Sequence, residues 1–142
     1  MMSLDLIMST DLKTVTPAAS LAAVRELMHD NRIHHVPVVD DDDQLVGLVT
    51  LTDVLAATDS ILRDDDSRYK PSEIAVGDIM QREIATIDEH ADLRQAALFL
   101  EKHRIGCLPV VTDGNLRGII TDTDFVGVAI NLLEQIEETE PD

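Results

Sequence analysis

The chain has 142 residues, of which 44% are hydrophobic and only 2% aromatic, so it has enough apolar residues for a folded, largely aliphatic core. Its formal net charge of −17 at pH 7 repels phosphate backbones and argues against nucleic-acid binding. A single cysteine, Cys107, excludes an internal disulfide, and the absence of a signal-peptide pattern or a membrane-length apolar run predicts a cytoplasmic protein without membrane attachment.

One unit occurs twice along the chain. Ile7-Met8 recurs as Ile79-Met80, and Pro37-Val38-Val39 recurs as Pro109-Val110-Val111. The register is kept across the whole unit and slips by one residue only in a loop, which indicates an internal duplication. The repeats are predicted at residues 1–62 and 74–136, with a polar linker at 63–73 and an acidic, frayed tail at 137–142.

Each repeat predicts the same βαββα order of elements. A very short strand is followed by an amphipathic helix, a nearly continuous apolar strand, a tight turn and another strand that leads directly into a second helix. The matching elements of the two repeats are predicted in pairs. They are strands at 14–16 and 86–88, helices at about 20–31 and 92–103, strands at 35–39 and 107–111, and strands at 45–50 and 116–121. A final helix is predicted at 125–136.

Local signals support several of these boundaries. Ser20 is a predicted helix N-cap, and Asp92 with Gln95 has the spacing of a capping box. The Asp-Gly pair at Asp113 is typical of a two-residue hairpin turn. Because the proline within each apolar strand lacks an N–H donor, we expect it at an edge, at a bulge or beside a ligand.

The strand-to-helix corners are the best candidates for a binding site. Both fit Gly-x-x-Thr-x-x-Asp, from Gly47 to Asp53 and from Gly118 to Asp124. Free N–H groups at a helix start and a threonine hydroxyl suit an anion, while an aspartate three residues on supplies two acceptor oxygens for a ribose diol. The same Thr-x-x-Asp spacing is also a variant of the capping box, in which each aspartate serves only its own helix.

The order and spacing of these motifs resemble a tandem pair of CBS domains, the cystathionine β-synthase type. The resemblance covers about residues 4–130: Ile-Met lead-ins, Thr-Val or Thr-Ile before a helix, Val-Pro-Val-Val or Leu-Pro-Val-Val, then Gly-x-x-Thr-x-x-Asp. It implies an α/β (α+β) fold, in which a βαββα pair with pseudo-twofold symmetry forms two small sheets flanked by helices and two clefts.

The resemblance also implies a function and a set of site residues. Such pairs are regulatory modules that bind adenine-containing ligands (AMP, ADP, ATP, S-adenosylmethionine or dinucleotides) and usually dimerise. By similarity, Asp53 and Asp124 would bind ribose, and Thr50 and Thr121 would bind phosphate. Main chain in both repeats would frame the base: Thr14, Val15, His35, Val36, Pro37, Thr86, Ile87, Cys107, Leu108 and Pro109.

Other charged residues have two interpretations each. Arg32 and Arg104 are candidates for phosphate binding, but an arginine at a helix end also complements the helix dipole. The scattered histidines and the run 40–43 lack the spacing of a metal site, so we expect no metal site there and a solvated turn at 40–43.

Three functions compete. The first is a regulatory sensor that binds an adenosyl ligand, with or without Mg²⁺ and with no required cofactor, and signals through a homodimer to an effector protein. The second is a dimerisation or interaction module whose corners are only helix caps. An enzyme is the least favoured, because the sequence contains no nucleophile–base pair, metal cluster or glycine-rich phosphate loop.

Overall fold

The computed structural model describes residues 2–63 and 70–139. Residues 64–69 of the predicted linker and residues 140–142 of the predicted tail lie outside the described residues. The chain divides into two compact units that are not contiguous in sequence. The N-repeat unit comprises Leu12–Ala85 with Asp113–Leu116, and the C-repeat unit comprises Met1–Asp11, Thr86–Thr112 and Arg117–Asp142.

The N-repeat unit follows the predicted order of elements. Its helices and strands are α1 (Leu21–Asn31), β1 (His35–Val39), β2 (Leu45–Thr50) and α2 (Leu51–Arg63). β1 and β2 form an antiparallel two-stranded sheet in which His35 lies opposite Thr50. The short strand predicted at 14–16 is reduced to one parallel bridge between Val15 and Val38.

An aliphatic core holds this unit together, as the composition predicts. α1 begins after Ser20, whose hydroxyl accepts a hydrogen bond from the Ala23 N–H at 3.0 Å, and this confirms the predicted N-cap. α1 and both strands, with α2 and the lead-in of the second repeat, contribute aliphatic side chains that are removed from water together. The buried cluster consists of Leu21, Val24, Met28, Val36, Val38, Val49, Val54, Val76 and Met80.

The C-repeat unit has the same succession of elements with a longer final helix. They are β3 (Ile87–Asp88), α3 (Leu93–His103), β4 (Cys107–Thr112), β5 (Asn115–Thr121) and α4 (Asp122–Thr139). The three strands form a sheet in the order β3-β4-β5, with β3 parallel to β4. The capping box at Asp92 is confirmed, because Asp92 and Gln95 exchange two hydrogen bonds of 2.9 Å.

α4 is longer than predicted at both ends. It starts at Asp122 rather than residue 125 because the polar first turn, which carries no apolar periodicity, follows Thr121 without a break. It continues to Thr139, so the first three residues of the predicted tail are helical. The four α-helices and two small sheets of the described residues confirm the predicted mixed fold class. Within the described ranges, no helix is long and apolar enough to span a bilayer.

The lead-in of each repeat completes the unit formed by the other repeat. Ser9 and Ile119 exchange backbone hydrogen bonds of 2.9 and 3.0 Å in the C-repeat unit. Gln81 and Leu48 do the same at 2.8 and 2.9 Å in the N-repeat unit. Because these bonds use the outer edge of β2 and of β5, each lead-in extends its sheet beside the candidate site.

Candidate functional site at the two strand-to-helix corners

Corner 1, defined as residues 47–53, is a closed capping box with one additional contact. The Thr50 N–H donates to Asp53 Oδ2 at 3.0 Å, and the Asp53 N–H donates to Thr50 Oγ1 at 3.1 Å. The side-chain amide of Gln81 also donates to Asp53 Oδ2, at 3.1 Å. Asp53 therefore makes the reciprocal hydrogen bonds of a capping box.

Corner 2, defined as residues 118–124, has a different pattern of hydrogen bonds. The Thr121 N–H donates to Asp124 Oδ2 at 2.8 Å, and the Thr121 hydroxyl lies 3.4 Å from the same oxygen. Asp122 accepts a bond of 2.9 Å from the Thr123 N–H through its Oδ1. The first turn of α4 is thus tied to its own carboxylates.

Capping uses only one oxygen of each aspartate. Within the described residues, the hydrogen bonds to the carboxylates of Asp53 and of Asp124 all end on Oδ2, and both residues are only half-buried. A carboxylate offers about four acceptor positions. Capping therefore leaves the acceptor positions of each Oδ1 unused while Oδ2 holds the helix start.

The predicted base-framing segments of the N-repeat unit lie beside one another. The Val15 N–H donates to the Pro37 carbonyl at 3.2 Å, and Val15 in turn accepts from the Val39 N–H at 2.9 Å. Pro37 lies opposite Leu48, whose own N–H and carbonyl both bond to Gln81. The proline is tolerated in the strand because its partner's hydrogen bonds point away from it.

In the C-repeat unit the matching segments are β3 and the buried start of β4. Ile87 lies opposite Val110 in a parallel pair, which sets Thr86 and Ile87 beside the strand that carries Cys107, Leu108 and Pro109. Burial, and then the charges of Asp122 and Asp124, raise the pKa of the Cys107 thiol to about 12. The predicted burial of this thiol is confirmed.

Arg32 and Arg104 end α1 and α3 in the left-handed conformation, with φ of 53° and 51°. Both side chains are exposed, which is compatible with either interpretation of these residues. Arg32 also lines a cavity of about 320 Å³ at the end of α1, together with Arg25, Met28, His29, Ile33, His34 and Leu51.

No three His, Cys, Asp or Glu side chains converge within the part of the chain that the structure describes. In the run 40–43, Asp40 Oδ1 accepts the N–H groups of Asp42 and Gln44 at 2.9 and 3.0 Å. These bonds stabilise a turn.

Sequence reasoning assigned no role to Gln81, which contacts corner 1, or to Asp122, which lies within corner 2. Comparison of the repeats pairs Gln81 with Ser9 and Asp122 with Leu51, so both positions differ chemically between the two copies. That difference was the available signal. The contact of Gln81 with Asp53, however, depends on long-range strand pairing that one repeat alone does not indicate.

Comparison with known proteins identifies the two repeats as CBS domains. The CBS domain family model matches residues 4–60 and 76–131, so the chain belongs to this family as a tandem pair. A CBS domain-containing protein from Dictyostelium discoideum is 30% identical over 134 residues, covering 92% of each chain.

Three solved structures of CBS pairs are similar over nearly their whole length. The putative acetoin utilization protein AcuB from Vibrio cholerae is 38% identical, with a TM-score of 0.82 and 99% coverage of both chains. CBSX2 in complex with AMP is 30% identical, with a TM-score of 0.78, covering 93% of this chain and 98% of that one. The CBS pair of protein MJ0100, in complex with 5′-methylthioadenosine and S-adenosylmethionine, is 25% identical, with a TM-score of 0.76 and 91% and 96% coverage.

Some longer relatives are enzymes of which this chain matches only a part. The chain is 32% identical to the inosine-5′-monophosphate dehydrogenase of Thermoplasma acidophilum but spans only 22% of its length. It spans 61% of chloroplastic CBSX1 from Arabidopsis thaliana. The similarity to the dehydrogenase is therefore confined to a small part of that enzyme.

Proposed function

We propose that this chain is a regulatory module that binds an adenosyl ligand at its Thr-Asp corners. Asp53 and Asp124 accept the ribose hydroxyls through Oδ1, and Thr50 and Thr121 face the 5′ substituent. The observation that carries the proposal is the half-used carboxylate in each corner, where capping occupies Oδ2 alone. The carboxylate is held in place before the ligand arrives, which lowers the entropic cost of binding.

The choice of an adenosyl ligand is supported by two of the similar proteins. CBSX2 was solved with AMP, and the MJ0100 pair with 5′-methylthioadenosine and S-adenosylmethionine. In this chain the base would lie against the main chain of Val15 and β1 at corner 1 and of Ile87 and β4 at corner 2. The proposed ligand needs no further cofactor, and Mg²⁺ would accompany only a polyphosphate.

The ligand state would be passed on through a homodimer to an effector protein in the cytoplasm, without catalysis by the module. α4 supports the homodimer because none of its described residues is buried and it exposes a stripe of large apolar side chains. Such a stripe marks an interaction surface.

An interaction module without a ligand is the second candidate. It is favoured by one specific observation, that each aspartate accepts hydrogen bonds from the main chain of its own helix start. Under this alternative the corners stabilise helices and bind nothing.

Thermal unfolding with AMP, ADP, ATP, 5′-methylthioadenosine and S-adenosylmethionine distinguishes the two candidates. A ligand that binds only the folded state stabilises it by about 2.7 kcal/mol at a hundredfold excess over its dissociation constant. We expect at least one of these ligands to raise the Tm. The double variant Asp53→Ala/Asp124→Ala should lose that increase.

The matched control is Asp92→Ala, which removes the N-cap of α3, an aspartate that belongs to neither corner. It should lower the Tm of the free protein yet retain the ligand-dependent increase. An unchanged Tm with all five ligands contradicts the proposal. So does a ligand-dependent increase that survives in the double variant, because the aspartates would then be caps alone.

A further inference from the structure

The two corners differ in the charges carried at matched positions. They correspond closely in backbone, since the Leu51 N–H bonds to the His34 carbonyl at 2.8 Å and the Asp122 N–H bonds to the Gly106 carbonyl at 3.0 Å. The side chains at these matched positions are unlike. Corner 1 has His34 and Leu51, whereas corner 2 has Gly106 and Asp122.

A cavity that adjoins corner 1 at Leu51 is lined by basic side chains. Leu51, the first residue of α2, lines the 320 Å³ cavity together with His34, Arg32, Arg25 and His29. None of the described residues that line this cavity is acidic, although the chain carries a net charge of −17. A basic cavity next to a helix N-terminus favours a phosphate group.

Corner 2 carries two carboxylates in the first turn of its helix, and Arg104 stands at the position that matches Arg32. Asp122 adds a carboxylate to that of Asp124, and its Oδ1 already holds the Thr123 N–H, one of the donors that an anion would use. Its Oδ2 fills the space beside Gly106, at 3.4 Å from where a Cβ would stand. The field of both carboxylates reaches the base-framing strand, where it adds to burial in raising the pKa of Cys107.

Gln81 adds a second difference between the corners. At corner 1 its amide donates to Asp53 Oδ2, while the Thr50 hydroxyl accepts from the Asp53 N–H and keeps its own proton for a ligand. At corner 2 the matched lead-in residue is Ser9, and the Thr121 hydroxyl lies against Asp124 Oδ2. Thr50 is thus arranged to donate to a phosphate, and Thr121 is turned toward a carboxylate.

We infer that corner 1 binds a 5′-phosphorylated adenosine and that corner 2 binds an adenosyl ligand without phosphate, a thioether or a sulfonium. This assignment rests on the proposed function and adds the ligand class of each corner. A phosphate monoester carries a charge of about −1.5 to −2 at pH 7. Two nearby carboxylates therefore lower its affinity strongly, while a neutral or cationic 5′ group is tolerated or attracted.

Single-corner variants of the full chain test the assignment by calorimetry with AMP and 5′-methylthioadenosine. Asp124→Ala retains corner 1 and Asp53→Ala retains corner 2. The measured quantity is the ratio of the two dissociation constants within each variant, in which a general loss of stability cancels. We expect the preference for AMP over 5′-methylthioadenosine, expressed as this ratio, to be at least about tenfold greater at corner 1 than at corner 2.

Charge substitutions then test the cause. In the Asp53→Ala background, Asp122→Asn should strengthen AMP binding about tenfold and change 5′-methylthioadenosine binding much less. Glu101→Gln, which removes an exposed charge on α3, is the matched control and should shift both ligands little. In the Asp124→Ala background, Arg32→Gln should weaken AMP binding severalfold, and Arg104→Gln should not.

The outcomes separate this inference from the proposed function. Equal ratios at both corners, within twofold, overturn the inference while the proposed function stands. The inference is also wrong if Asp122→Asn and Glu101→Gln have the same effect on AMP. Failure of all five adenosyl ligands, ADP and ATP included, to bind the unmodified chain overturns the proposed function and this inference together.

Discussion

Gly47 and Gly118 open the corner motifs, and each lies under a methionine from a lead-in segment. A Cβ built on Gly47 would overlap Met80 Sδ and come within 3.1 Å of the Gln81 carbonyl oxygen. A Cβ on Gly118 would lie 2.9 Å from Met8 Sδ and 3.0 Å from the Ser9 carbonyl oxygen. These glycines permit the close approach of the lead-in strand, which positions Gln81 beside Asp53.

Replacing either glycine with alanine should therefore destabilise its unit. We expect Gly47→Ala and Gly118→Ala to lower the free energy of unfolding by about 1–3 kcal/mol, since the backbone of the lead-in must shift. Urea denaturation followed by circular dichroism measures this. Gly127→Ala is the control, because nothing lies within 4 Å of its added Cβ within α4, and it should stabilise the protein by about 0.5–1 kcal/mol. Equal effects at all three positions would show that packing over the corners is loose.

Sequence patterns predict those helices and strands whose ends are set by neighbouring residues in the chain. β1 and β2 occur at their predicted residues, because a proline-containing apolar run and a polar turn define both strands. Apolar periodicity predicts the start of α4 three residues late, since it is absent from the acidic first turn of the helix. The pairing of Ser9 with Ile119 was not predictable, because residues far apart in sequence meet there.

The positions of the two corners could be predicted from the sequence, but not all of their side-chain contacts. The repeated Thr-x-x-Asp spacing located both corners and raised capping as an alternative, and the hydrogen bonds confirm the capping geometry. The spacing did not reveal that Oδ2 alone is used, nor that Gln81 reaches Asp53. Those features depend on side-chain orientation and on a distant strand.

The caps of α1 and α3 lead to a prediction about these helices. Asp92 and Gln95 exchange two hydrogen bonds, whereas Ser20 accepts one. We expect Asp92→Ala to lower the free energy of unfolding by about 1–2 kcal/mol and Ser20→Ala by about 1 kcal/mol. Chemical denaturation of the two variants measures the difference. A smaller loss for Asp92→Ala than for Ser20→Ala would contradict a stabilising role for the reciprocal bond.

The proposed homodimer must overcome the electrostatic repulsion between two acidic chains. The exposed apolar stripe of α4 includes Val126, Ile130, Leu133 and Ile136, each with more than half of its surface accessible (51–57%). Glu134, Glu137 and Glu138 lie on the same helix, and α4 contains no lysine or arginine. Burial of the stripe supplies the attraction, and the carboxylates oppose it.

Sedimentation velocity should therefore detect a dimer that depends on the apolar stripe of α4. Ile130→Glu/Leu133→Glu places two further charges on the stripe and should convert the dimer to monomer, while each unit keeps its fold because neither residue is buried. Gln135→Glu adds a charge to an exposed position of α4 outside the stripe and should weaken the dimer far less. Raising the salt concentration should strengthen association of the unmodified chain, since screening reduces the repulsion between acidic protomers while the apolar contact persists. A dimer that dissociates in high salt would instead indicate an interface held by ion pairs, and one unaffected by the double substitution would place the interface outside α4.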